Sequence, residues 1–134
     1  MDQLRPSVGK IVIGGMFTVI LFDALGSFAS KELGFEYALL IPGSLLIYGT
    51  VAAMVARRRD WLLGLLAATV LAFTDVTVAW AVSWLIGPGK PESGLTSMTV
   101  VGAAMTAFVL GGLAGAVGAW IGVRRRRGVD APAA

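Results

Sequence analysis

The side chains with the most chemical reach in this chain are two aspartates, Asp23 and Asp75, because each stands inside a long apolar run. An ionised Asp at the centre of a helix in hydrocarbon costs about 2.5–3.5 kcal/mol on insertion scales, so a carboxyl kept there is a functional candidate by default. Two such carboxyls near each other can carry protons or bind a cation. The structural alternative is a neutral carboxyl that donates to a Tyr, Ser or backbone oxygen and fixes helix packing. A simple ion pair is ruled out for both, since no Lys or Arg lies within the runs. Composition removes most other chemistry. Cys and His are absent, which excludes disulfides, thiol nucleophiles, cysteine-ligated zinc or iron–sulfur clusters, histidine-ligated haem and imidazole catalysis. No nucleophile–base pair and no metal-ligand set is spaced for a reaction. The chain therefore reads as non-enzymatic, with no metal and no cofactor.

The elements that must position the aspartates are the runs themselves: Ile11–Ala29, Phe35–Ala56, Trp61–Ile86 and Ser97–Val123. Roughly 20 mostly apolar helical residues cross a bilayer. With a mean hydropathy of +0.82 over 134 residues, there is no room for a soluble domain beside them. The expected fold is all-α: one integral membrane domain over residues 1–134, a bundle of four transmembrane helices with a basic tail at 124–134.

Charge sets the expected orientation. Arg5, Lys10, Arg57, Arg58, Arg59 and Arg124, Arg125, Arg126 and Arg127 fall on one side of the runs, and only Lys31 and Lys90 on the other. Nine against two is a strong positive-inside bias, placing both termini in the cytoplasm and the protein, multi-pass, in a cytoplasmic membrane. The arginine clusters then anchor topology and meet lipid headgroups, which explains the net charge of +3 without a nucleic-acid partner. Arg5, Lys10 and the stretch Ile11–Phe22 also have the form of a secretory signal. Cleavage there would leave the remaining arginines on the disfavoured side, so the first run is expected to stay as a span.

Helical spacing sorts the small residues into faces. The third run carries Gly64, Ala68, Ala72, Asp75, Ala79 and Ser83 on one face, and the fourth carries Ala104, Ala107, Gly111, Gly115, Gly118 and Gly122. Small residues let helices in lipid approach closely. These two stripes either pack on each other within the chain or, for the fourth run, meet another subunit. The first run aligns Gly15, Val19, Asp23, Gly26 and Ser30, with Ser27 alongside; the second aligns Tyr37, Ser44 and Tyr48, with Pro42–Gly43 in the same half. A proline inside a helix frees a carbonyl one turn back, which must find another partner. The polar site expected from this alignment comprises Asp23, Asp75, Ser27, Ser44, Tyr48, Ser83 and Pro42, open to the outside and closed below by Leu, Val and Ala. Ser30–Gly34, Arg57–Asp60 and Gly87–Thr96 are expected as the turns, Glu36 and Tyr37 as interfacial residues, and Trp61, Trp80, Trp84 and Trp120 as the aromatic belt. Asp23 after Phe22 and Asp75 after Phe73–Thr74 hint at a parallel two-span repeat.

Two functions follow. The first is a non-catalytic subunit or assembly module, partnered by the bilayer and by itself or a larger membrane complex through the small-residue faces. The second is a proton- or cation-coupled small transporter or channel using Asp23 and Asp75. A lytic pore-former of holin type ranks third, on small size and the basic tail alone. In length and span count the chain resembles small multidrug exporters and fluoride channels. It lacks the motifs of those groups, and its one-sided charge does not suit their antiparallel assembly.

Overall fold

The computed structural model describes residues 6–88 and 96–129 and contains helix but no strand among them. α1 spans Val8–Leu33; a 3₁₀ turn, Tyr37–Leu40, leads into α2, Ile41–Arg58; α3 spans Trp61–Thr74. A π-helical turn, Asp75–Ala79, joins α3 to α4, Trp80–Ile86, in one continuous rod, and α5 spans Ser97–Val129. The resulting four rods are each long and apolar enough to cross a membrane. Arg5, the segment 89–95 with Lys90, the tail 130–134 and the Arg127 side chain lie outside the described residues.

Local chemistry explains where the helices start and stop. Ser7 caps α1 by accepting from the Lys10 N–H, and Asp60 caps α3 by accepting from the Leu63 N–H at 2.9 Å. Gly34, in the left-handed region at φ 71°, ends α1 and returns its N–H to the Ser30 carbonyl. The first turn thus differs from the expected Ser30–Gly34. The helix continues through Leu33, and the chain reverses over Gly34–Glu36. Ser30 is buried and donates to the Phe35 carbonyl at 2.7 Å, so the chain folds straight back along α1. Pro42 also differs from expectation. It occupies the first turn of α2, where an N–H has no helical partner to lose, so it frees no carbonyl inside a helix.

The register of α1 against the second rod follows from the small residues. Gly26 faces Leu40, Gly43 faces Phe22, and Gly15 faces Val51, where an added Cβ would come within 2.8 Å of the valine. α2 and the α3–α4 rod form the centre, each touching every other rod; α1 flanks one side and α5 the other, without mutual contact among the described residues. The glycine stripe of α5 is covered within the protomer. Gly111 and Gly115 lie against Ala72 and Ala68 of α3, while Gly118 and Gly122 lie on the backbone of α2 at Gly49 and Ala53. The stripe therefore sits over the seam between two helices rather than against α3 alone. Gly64 makes the matching approach, with a Cβ there 2.7 Å from the Ala52 carbonyl and 3.0 Å from Ala119.

The two ends of the bundle are unlike. At one end Arg58 donates to the Pro6 carbonyl, Arg126 donates to the Arg59 carbonyl at 2.7 Å, and Arg124 stacks 3.8 Å from the Trp120 ring centre. These contacts gather the described arginines into a basic end. The opposite end carries the Gly34–Glu36 reversal and the described cation Lys31. Close packing of α5 is confined to the basic half: Gly111, Gly115, Gly118, Ala119 and Gly122 are buried, and no residue of α5 before Gly111 is. Toward the opposite end α5 leans away from the centre. That divergence opens the site described next.

Candidate functional site

Between the diverging helices lies a cavity of about 310 Å³, toward the small end of the range for small-molecule sites. Every rod contributes. Asp23 enters from α1, Tyr37 from the 3₁₀ turn, Ser44 and Tyr48 from α2, Asp75 and Trp80 from the third rod, and Thr106 with Ala103 and Ala107 from α5. The remaining wall is aliphatic, from Leu40, Ile41, Leu45, Val76 and Leu110. Two carboxyls, two phenols and a serine thus face one space with apolar surroundings.

Each aspartate holds a tyrosine. The Tyr37 hydroxyl donates to Asp23 Oδ2 at 2.5 Å, and the Tyr48 hydroxyl donates to Asp75 Oδ2. Asp23 and Tyr48 are almost wholly buried, at 3% and 2% exposure, so neither polar end has bulk water to fall back on. A buried carboxyl without a donor costs several kcal/mol, and a hydroxyl aimed at it offsets part of that. Below the Tyr48–Asp75 pair the space closes. The Tyr48 ring lies against Gly111, which itself abuts Ala72, and beneath it Gly15, Val51 and Leu71 bring α1, α2 and α3 together.

Asp75 begins the π-helical turn. The Trp80 N–H reaches back to the Asp75 carbonyl, the five-residue step of a π turn. Such single turns occur frequently at functional sites, where they re-aim a side chain. The neighbouring threonines take up backbone acceptors: Thr74 donates to Val70 and Thr77 to Phe73, at 2.9 and 2.6 Å. α1 runs as regular α-helix through Asp23, so the two aspartates are not placed by equivalent local structure, whatever the sequence echo between them.

The structure brings together four of the expected site residues, Asp23, Asp75, Ser44 and Tyr48, on the cavity. Ser27 and Ser83 are beside it, not on its wall. They are fully buried between α1 and α4, where Ser27 Oγ donates to Ser83 Oγ at 2.8 Å. Pro42 is not part of the site; it is exposed and lines a separate groove between α2 and α5. Tyr37 is the residue sequence reasoning misplaced, as an interfacial side chain. The reversal after Gly34 carries it back beside α1, and its hydroxyl reaches Asp23. Trp80 was expected in the aromatic belt and is a cavity wall, packed edge-on to Trp84 at 5.0 Å. The signal available for both was polarity: each has an apolar body and a polar tip, and each stands near an aspartate within an apolar run once the helices are folded side by side. Of the α5 residues on the wall, Ala107 belongs to the expected small-residue face, whereas Ala103 and Thr106 lie off it and had no expected role.

Of the packing residues, Gly64, Ala68, Ala72 and Ala79 are buried in the third rod as their spacing required. Arg57, Arg59 and Arg125 are exposed at the basic end, and Arg58, Arg124 and Arg126 have partners within the chain. No family model matches this chain, and no curated protein or solved structure matches it either.

Proposed function

We propose that the protein is a proton- or cation-coupled small transporter or channel whose binding site is the Asp23–Asp75 cavity. One observation carries this reading: two carboxyls set deep in apolar helices converge, each with its own tyrosine donor, on one small-molecule-sized cavity. A structural aspartate needs a hydrogen-bond partner but no cavity. Asp–Tyr pairs facing open space can exchange a proton, or can trade the tyrosine for a cation as partner. The wall chemistry suits a small cation: carboxyl oxygens from two sides and the aromatic side chains of Tyr37, Tyr48 and Trp80 on the same wall.

The alternative, a non-catalytic assembly subunit, draws less support. It looked to the glycine stripe of α5 as a contact surface, and that stripe is already packed on α2 and α3. We also place the protein in a cytoplasmic membrane with both termini inside, on the charge asymmetry between its ends. In that orientation the cavity lies in the outer half and the Gly–Ala packing closes the inner half. Passage then requires that packing to open, or the cavity to alternate its access.

The test is flux in proteoliposomes driven by a proton, sodium or potassium gradient, for wild type and for Asp75→Asn and Asp23→Asn. An amide keeps a donor and an acceptor in nearly the same volume but cannot titrate. Flux in wild type that is abolished by Asp75→Asn, with thermal stability retained, is the expected result. Flux unchanged in both Asn variants refutes the site, and wild-type flux no greater than that of empty liposomes with any of the three ions refutes the function.

A further inference from the structure

A second concave surface lies on the far side of the α2–α5 contact, and its chemistry is different. It is a groove of about 820 Å³ running from Pro42 and Leu110 down to Arg57 and Arg125. Its floor is bare backbone, because Gly49 and Ala53 of α2 meet Gly118 and Gly122 of α5 there. Apolar ridges wall it, with Leu46 and Met54 on α2 and Leu113 and Val117 on α5 all exposed. Among the described residues no acidic side chain lines it. At 1.5 Å per residue the fifteen steps from Pro42 to Arg57 give a trough roughly 22 Å long. One leaflet of the hydrocarbon core is about 15 Å thick, which leaves the remainder at headgroup level.

The arginines at its mouth differ from three of their neighbours. Arg58 is bound to the Pro6 carbonyl, Arg126 to the Arg59 carbonyl, and Arg124 lies over Trp120. Arg57 and Arg125 make no hydrogen bond, ion pair or ring contact among the described residues, yet they flank the same end of an apolar trough. Two guanidiniums, one from each wall, match the oxygens of a phosphate.

We infer that this groove is a binding site for an anionic phospholipid, with an acyl chain along the Gly–Ala floor and the phosphate between Arg57 and Arg125. The lipid covers the α2–α5 contact from outside, where both helices are too thin to cover it themselves. The inference stands apart from the transport reading and holds for either orientation of the bundle.

The test uses full-length protein in mild detergent, with phosphatidylglycerol, phosphatidylcholine of the same chains, or inorganic phosphate added. Native mass spectrometry counts retained lipid and thermal melting follows stability. Phosphatidylglycerol is expected to be retained and to raise the melting temperature, with little effect from the other two. Arg57→Gln combined with Arg125→Gln should weaken phosphatidylglycerol binding roughly thirtyfold, at about 1 kcal/mol per arginine. Arg59→Gln combined with Arg124→Gln removes the same charge away from the groove and should weaken it far less. Equal loss in the two double variants would show attraction to net charge and overturn the site. So would phosphatidylcholine bound as well as phosphatidylglycerol, an equal shift from phosphate alone, or a second copy of the chain in place of the lipid.

Discussion

Gly118→Ala adds one carbon at the tightest backbone approach in the bundle, and the structure sets its effect. A Cβ at Gly118 would collide with the Gly49 carbonyl oxygen and stand 2.7 Å from both the carbonyl carbon and Cα of that residue. Ordinary contact begins at 3.4 Å, so clearing the two carbons alone separates α2 and α5 locally by roughly 0.7 Å, and the closer oxygen demands more. The obstacle is helical backbone, which cannot rotate aside as a side chain would. A gap of that size forfeits a quarter to a half of the dispersion attraction between the atoms it parts. Overpacking of this kind costs about 1–3 kcal/mol. Gly112→Ala is the matched control, since a Cβ there meets nothing within 4 Å. It should leave stability unchanged or raise it by up to about 1 kcal/mol, the helix preference of Ala over Gly. Thermal melting of both variants in the same mild detergent, with size-exclusion recovery of folded protein, measures the difference. A Gly112 variant destabilised as much as the Gly118 variant, or a Gly118 variant that melts with wild type, would refute the assigned helix contact.

Two further outcomes follow from individual residues. Ser83→Ala leaves the Ser27 hydroxyl buried without this bond, and Ser27→Ala takes one of the Ser83 hydroxyl's two partners, Tyr37 being the other, so each costs about 1–3 kcal/mol. The double variant should lose less than the sum, by about 0.6 kcal/mol or more, in a thermodynamic cycle; strict additivity would deny the bond. The chain has no cysteine, so single introduced thiols report topology without background. Glu32→Cys at the exposed end of α1 should react with an impermeant reagent in intact cells and Arg59→Cys should not; the reverse pattern would invert the orientation.

Much of the fold was legible because runs apolar and long enough to cross a bilayer suit few structures. Four apolar runs of this length leave the backbone little choice but helix, since every N–H and C=O must be satisfied inside its own segment. Helical period then fixed which residues share a face, and the buried row Ile11, Gly15, Val19, Asp23, Ser27 and Ser30 follows that period closely. Asp60 as a cap and Gly34 as a terminator are similarly local: one side-chain oxygen, one absent Cβ. The two aspartates announced themselves by being polar where polarity is costly.

Which face meets which neighbour was decided only in three dimensions. Period cannot tell whether the glycines of α5 pack on one helix, two helices or another subunit, because each arrangement satisfies the same stripe; the answer lies in Gly49 and Ala53, on a helix whose own stripe is broken by Tyr48 and Leu46. Tyr37 depended on how the chain reverses. Four extra helical residues and a fold-back at Gly34 move it from the rim to the side of Asp23, and such boundary shifts are beyond reading from pattern. The π turn at Asp75 has no sequence mark, since its residues are ordinary for an apolar helix. The sequence alone determined that two carboxyls would lie within the helices. Tertiary structure determined that they share a cavity, because α5 packs closely only from Gly111 onward, where its glycines face α2 and α3, and diverges before it.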